Sequence, residues 1–101
     1  MKVSTEPVIL KLGGSVITDK AADQGIVREA DLLRIAKEVS EYRGKMIIVH
    51  GAGSFGHTYA KKYGLDMGFD PEGVIITHES VKKLASRVVD ALNEYGVRAI
   101  A

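Results

Sequence analysis

The chain has 101 residues, which suits one small domain with a modest core. Fourteen Lys and Arg face thirteen Asp and Glu, a formal charge of +1 that gives neither nucleic acid nor an anionic membrane an electrostatic footprint. The absence of cysteine excludes disulfide frameworks and thiolate metal sites and fits a reducing, cytoplasmic setting.

From the start of the chain, Met1 to Pro7 lacks the apolar core of a signal peptide, and no apolar run approaches membrane-spanning length. Pro7 to Leu12 predicts a first strand, with proline at its opening where no ladder donor is lost. Gly13-Gly14-Ser15 makes a glycine turn at its end. Val16-Ile17-Thr18 reads as a short strand leading to Asp19-Lys20, and residues 19 to 27 as a loop. Leu32, Ile35 and Val39 carry the spacing of a helix over about 29 to 42, stopped by Gly44.

Met46 to His50, β-branched at Ile47, Ile48 and Val49, predicts a strand buried on both faces of a parallel sheet. Glycines at 51, 53 and 56 then turn the chain into an apolar-periodic helix from Phe55 to Tyr63. Residues 64 to 73 are rich in turn formers. A longer helix is expected over about 78 to 95, with Val81, Leu84, Ala85, Val88, Val89 and Leu92 on one face and His78 near its start; Ile75 and Ile76 either open it or precede it. Gly96 ends it, and Val97 to Ala101 reads as the opening of another buried strand.

No repeat, low-complexity tract or linker interrupts the chain. The alternation argues for an α/β fold, a parallel sheet with helices on its faces. Because the chain stops in a hydrophobic strand, residues 1–101 are expected to be the leading part of a longer protein.

Two glycine turns at the carboxyl ends of parallel strands leave backbone amides aimed at a common spot, beside the positive end of a helix dipole. That suits phosphate. Gly51-Ala52-Gly53-Ser54-Phe55-Gly56 also matches G-x-G-x-x-G, with Asp70 some twenty residues on. Yet it follows the second long strand, the first already ends in its own glycine turn, and Asp70 falls in a turn-rich segment. No P-loop motif occurs.

Lys11, Lys20 and His57 flank the two turns. Phosphoryl transfer asks for donor and acceptor held in line, with positive charge on the group in flight, and these residues have the means to supply it. Taken singly, each turn is equally what a tight βα connection needs, with solvated lysines beside it. His50 reads as a hydrogen-bonded core residue. No His, Asp or Glu spacing forms a metal site.

Lys11-Leu12-Gly13-Gly14-Ser15, then Thr18-Asp19-Lys20, then His50 through His57 resemble the amino-acid-kinase superfamily. Within it they look most like the archaeal-type isopentenyl phosphate kinases. The likeness spans nearly the whole chain, including Thr77-His78-Glu79-Ser80-Val81, and the histidine closing the second loop marks the isopentenyl and fosfomycin phosphate-kinase branch.

The resemblance implies a three-layer α/β/α sandwich with a mainly parallel sheet, here truncated to the N-terminal, acceptor-phosphate part of a single kinase domain. It implies ATP with Mg2+, isopentenyl phosphate as small-molecule substrate, and a homodimer. Lys11, Gly13, Gly14, Ser15 and Gly53 would contact ATP; Ala52, Gly53 and His57 would hold the acceptor phosphate; Lys20 would stabilise the transferring group. The family often has glycine where Ala52 stands, a change that a backbone contact survives. Ile76, Thr77 and Ser80 would wall the isoprenyl tail. Since the later half of these enzymes carries the adenine site, the resemblance implies that residues 1–101 alone are inactive. The rival readings are another kinase of the superfamily, acting on fosfomycin, a carboxylate or a nucleotide monophosphate, with His57 arguing against the last two; a non-catalytic Rossmann-type nucleotide-binding module; and a partly folded fragment that binds nothing.

Overall fold

Two five-residue strands, β1 (Val8–Leu12) and β2 (Met46–His50), run parallel and in register, with Val8 opposite Met46 and Leu12 opposite His50. The computed structural model that shows this describes residues 6–101, so most of the Met1 to Pro7 stretch lies outside the described residues. The chain passes from β1 to β2 through a short helix α1 (Gly14–Ile17), a polar loop and helix α2 (Glu29–Ser40). After β2 come a 3₁₀ turn (Gly53–Phe55), helix α3 (His57–Lys62) and the long helix α4 (Pro71–Glu94).

The amphipathic spacing does what it predicts. α2 buries Leu32, Ile35, Ala36 and Val39, and α4 buries Leu84, Val88, Ala91 and Leu92; with Leu12 and Ile17 they form the core. Leu10, Met46 and Ile48 pack against it from one face of the sheet. The opposite face stays open, with Ile9 at 70 %, Ile47 at 51 % and Val49 at 48 % exposure. Strand residues alternate sides, and the helices among the described residues cover one side only. The expectation of a strand buried on both faces therefore holds for one.

Arg87 on α4 ties the two long helices together. Its Nε and Nη2 donate to the Glu29 carboxylate of α2, the closest pair at 2.7 Å. That hydrogen bond raises the Arg87 pKa above its ordinary value, against the opposing pull of burial. A raised arginine pKa leaves the group charged through the neutral range, so its share of stability is present there and is lost only in strong alkali.

Three local expectations need correcting. Val16-Ile17-Thr18 is not a strand: Val16 and Ile17 lie in α1, and Thr18 caps it with its N–H on Gly14 O (2.9 Å). The β-branched trio is overridden because Gly14 lies against the backbone of Gly51 and Gly53, and the chain must coil back at once to keep that contact.

The long helix starts not near 78 but at Pro71. Proline at the first position needs no donor, and the Asp70 carboxylate accepts from Glu72 N–H (3.2 Å). Ile75, Ile76 and the exposed His78 are therefore interior to it. Asp70→Ala is expected to lower stability by about 1 kcal/mol, which thermal unfolding would show as a fall of roughly 4–8 °C. An unchanged melting temperature would deny the cap its role.

Residues 97 to 101 do not form a strand among the described residues. Gly96 (φ 77°) closes α4, Arg98 (φ 58°) sits in the left-handed region that breaks an extended run, and the Asn93 side chain clamps both the N–H and the carbonyl of Ala99 (2.9 and 3.2 Å). No helix of the described residues is long and apolar enough to cross a membrane.

Candidate functional site

Because β1 and β2 are parallel and in register, their carboxyl ends finish at the same level. The ladder runs one step further, Gly51 N–H donating to Leu12 O (3.0 Å), and then both chains turn. The turns touch backbone to backbone. A Cβ on Gly14 would lie 2.5 Å from Gly53 N and 2.8 Å from Gly53 Cα, and one on Gly51 would lie 2.9 Å from Gly14 N. Only residues without side chains let two strand tips meet so closely.

This contact opens a cleft of about 320 Å3 lined by Gly14, Ser15, Lys20, Gly51, Ala52, Gly53, Ser54 and His57. Its chemistry starts with the backbone. The N–H groups of Ser54, Phe55 and Gly56 are spent on Thr18 Oγ1, Ala52 O and Gly53 O. Those of Gly14, Ser15, Ala52 and Gly53 have no intramolecular acceptor among the described residues. Two pairs of free amides thus flank one small cleft, an arrangement with the hydrogen-bonding capacity an oxyanion asks for.

Charge comes from the rim. The loop after α1 doubles back through an antiparallel bridge between Thr18 and Val27, with Asp19 N–H on Ile26 O (2.9 Å). Asp19 Oδ1 accepts from Ala21 N–H (3.0 Å), a turn that leaves Lys20 at the tip and on the cleft. Ile26 N–H donates to Ser54 Oγ (3.3 Å), and Gly25 packs on the Phe55 ring, so the loop is pinned to the 3₁₀ turn. His57, the first residue of α3, is exposed at the rim. The expected contribution of a helix dipole is small, since a 3₁₀ turn intervenes and α3 has six residues.

Of the residues singled out by sequence, Gly14, Ser15, Lys20, Ala52, Gly53 and His57 come together here. Gly13 and Lys11 do not line the cleft: Gly13 is the extended residue before α1, and Lys11 is exposed on the open face of the sheet, opposite Val49. Gly51 and Ser54 line it although the chemistry-based reading did not select them. His50 is hydrogen-bonded as expected, Nδ1 donating to Gly51 O (3.0 Å), but it is only partly buried and lies outside the core. Asp70 is occupied at the start of α4, and the glycine run leads into a 3₁₀ turn rather than directly into a long helix; both count against a dinucleotide fingerprint.

Comparison with known proteins adds an independent line. Residues 6–101 match the family described as Amino acid kinase family. An isopentenyl phosphate kinase of Methanothermobacter thermautotrophicus is 41 % identical over 103 residues, covering 93 % of this chain and 39 % of the relative. One from Thermoplasma acidophilum is 40 % identical, again over 93 % of this chain and 39 % of the relative. Among solved structures, an isopentenyl phosphate kinase superposes with a TM-score of 0.84 at 40 % identity, covering 94 % of this chain and 43 % of that one. A T. acidophilum isopentenyl phosphate kinase product complex gives 0.83 at 40 %, covering 94 % and 42 %. The chain spans about two-fifths of the length of the curated relatives it matches.

Proposed function

This chain belongs to the amino acid kinase family, and from that premise we propose that it forms the acceptor-phosphate part of an isopentenyl phosphate kinase. The reaction would move the terminal phosphoryl group of ATP onto isopentenyl phosphate, giving ADP and isopentenyl diphosphate. The observation that carries the reading is the pairing of free amides at Gly14–Ser15 and Ala52–Gly53 across one cleft, with Lys20 and His57 at its rim. The names of the relatives support the choice of substrate.

In this reading Ala52, Gly53 and His57 hold the acceptor phosphate, and Gly14 and Ser15 face the nucleotide's phosphates. Lys20 stands where charge builds up on the group in flight. An acceptor phosphate monoester has its second pKa at about 6 and is mostly dianionic at neutral pH. No general base is needed, so His57 orients and neutralises rather than removing a proton. Lys11 and Gly13, outside the cleft lining, belong to the nucleotide side of the proposal, which residues beyond this chain would complete. In this proposal Mg2+ would arrive with the nucleotide, held mostly by its phosphates. A homodimer of the whole protein belongs to the same proposal and is supported by resemblance alone.

Calorimetric and amide-NMR titrations of the chain with isopentenyl phosphate, ATP and NAD test this. Isopentenyl phosphate is expected to bind and to shift the amides of Ala52, Gly53 and His57. A response to NAD alone would overturn the reading in favour of a dinucleotide module. Turnover by residues 1–101 at the rate of a full-length relative would overturn its partial character.

A further inference from the structure

Thr18 does not face the cleft, yet both of its walls depend on it. Its side chain is fully buried, at 0 % exposure, behind the two glycine turns. The hydroxyl donates to Gly14 O (2.6 Å) and accepts from Ser54 N–H (3.1 Å), groups four and 36 residues away along the chain. Ser54 N–H has no other acceptor among the described residues. The hydroxyl occupies the place where a Cβ on Gly53 would have to go. It is a strut between the carbonyl of one turn and the amide of the other.

We propose that Thr18 is a positioning residue: its hydroxyl sets the spacing of the Gly14–Ser15 and Ala52–Gly53 amide pairs, and so the cleft's hold on phosphate. The inference rests on the phosphate-transfer reading of that cleft. A hydroxyl is suited because it donates and accepts at once, whereas an isosteric valine does neither. The second branch at Cβ restricts χ1, so the oxygen is held between its partners. Pre-set donors matter because affinity for an oxyanion falls when the amides must first be drawn together.

The test compares Thr18→Val, Thr18→Ser and a core control, Val88→Ala, each titrated with inorganic pyrophosphate and with isopentenyl phosphate at fixed salt. Thr18→Val is expected to weaken pyrophosphate binding by about tenfold or more and to speed amide exchange at Ser54. Thr18→Ser should restore affinity to within about threefold, and Val88→Ala should lose melting temperature but keep the wild-type affinity. The proposal is overturned if Thr18→Val binds within about twofold of wild type, or if Val88→Ala loses as much affinity as Thr18→Val. A wild-type chain that binds pyrophosphate and not isopentenyl phosphate sinks the choice of acceptor, while the pyrophosphate series still decides the role of Thr18. A wild-type chain that binds neither sinks both.

Discussion

Gly53→Ala is expected to remove about 3 kcal/mol of stability and to abolish the phosphate cleft at the same stroke. Gly53 sits at φ 51°, where an L side chain alone costs roughly 1 kcal/mol. Its Cβ would run into the Thr18 hydroxyl and lie 2.6 Å from Gly14 O and 3.0 Å from Gly14 C. Those are backbone atoms and a locked side chain, so the contact cannot be relieved by a rotamer change, and overpacking of this kind costs about 1–3 kcal/mol more. For a domain of this size the melting temperature should fall on the order of 10–20 °C. Gly68, with nothing within 4 Å of a built Cβ, is the matched control, and Gly68→Ala should melt close to wild type. A Gly53→Ala chain that melts with the control would mean that the two turns do not touch.

His57→Ala, by contrast, should leave the fold alone and, under the proposed function, affect activity only. The side chain is exposed and has no hydrogen bond or ion pair among the described residues, so its loss should not move the melting temperature. Under the proposed reaction, loss of one preorganised donor to the acceptor phosphate is worth about 3 kcal/mol. Steady-state rates of the whole enzyme would then drop on the order of 100-fold, and calorimetry would show weaker isopentenyl phosphate binding. An unimpaired variant would refute the role given to His57.

The parts of the fold that were legible in the sequence are those governed by local periodicity. Leu32, Ile35 and Val39 fix α2, and Leu84, Val88 and Leu92 fix the core-facing stretch of α4. The β-branched run at 47–49 identifies β2. Glycine spacing located both turns, and the Lys20 excursion was readable from the polar loop around it. What escaped depends on contacts made across the chain. Val16-Ile17-Thr18 has the composition of a strand, and only the approach of Gly51 and Gly53 to Gly14 bends it into a helical turn. Asp70-Pro71 serves as well for a turn as for a helix start, and packing of the segment behind it decides between them.

The position of Lys11 was open to a parity argument. With Leu12 pointing into the core, its neighbour must point the other way, onto the face away from α2 and α4. Thr18 could not have been found by any window of residues, since its defining partner is 36 positions away.

The distance along the chain between the two turns has a consequence for how the protein meets its ligand. Neither loop makes the cleft alone, so the cleft is absent from every partly folded state in which β1 and β2 have not yet paired. Under the proposed function, a phosphate compound that occupies it would be a selective ligand of the state in which the strands have paired. At a hundredfold excess over its dissociation constant it would add about 2.7 kcal/mol to the free energy of unfolding. Under the proposed function, the acceptor phosphate would act as a late fastener of the architecture that receives it.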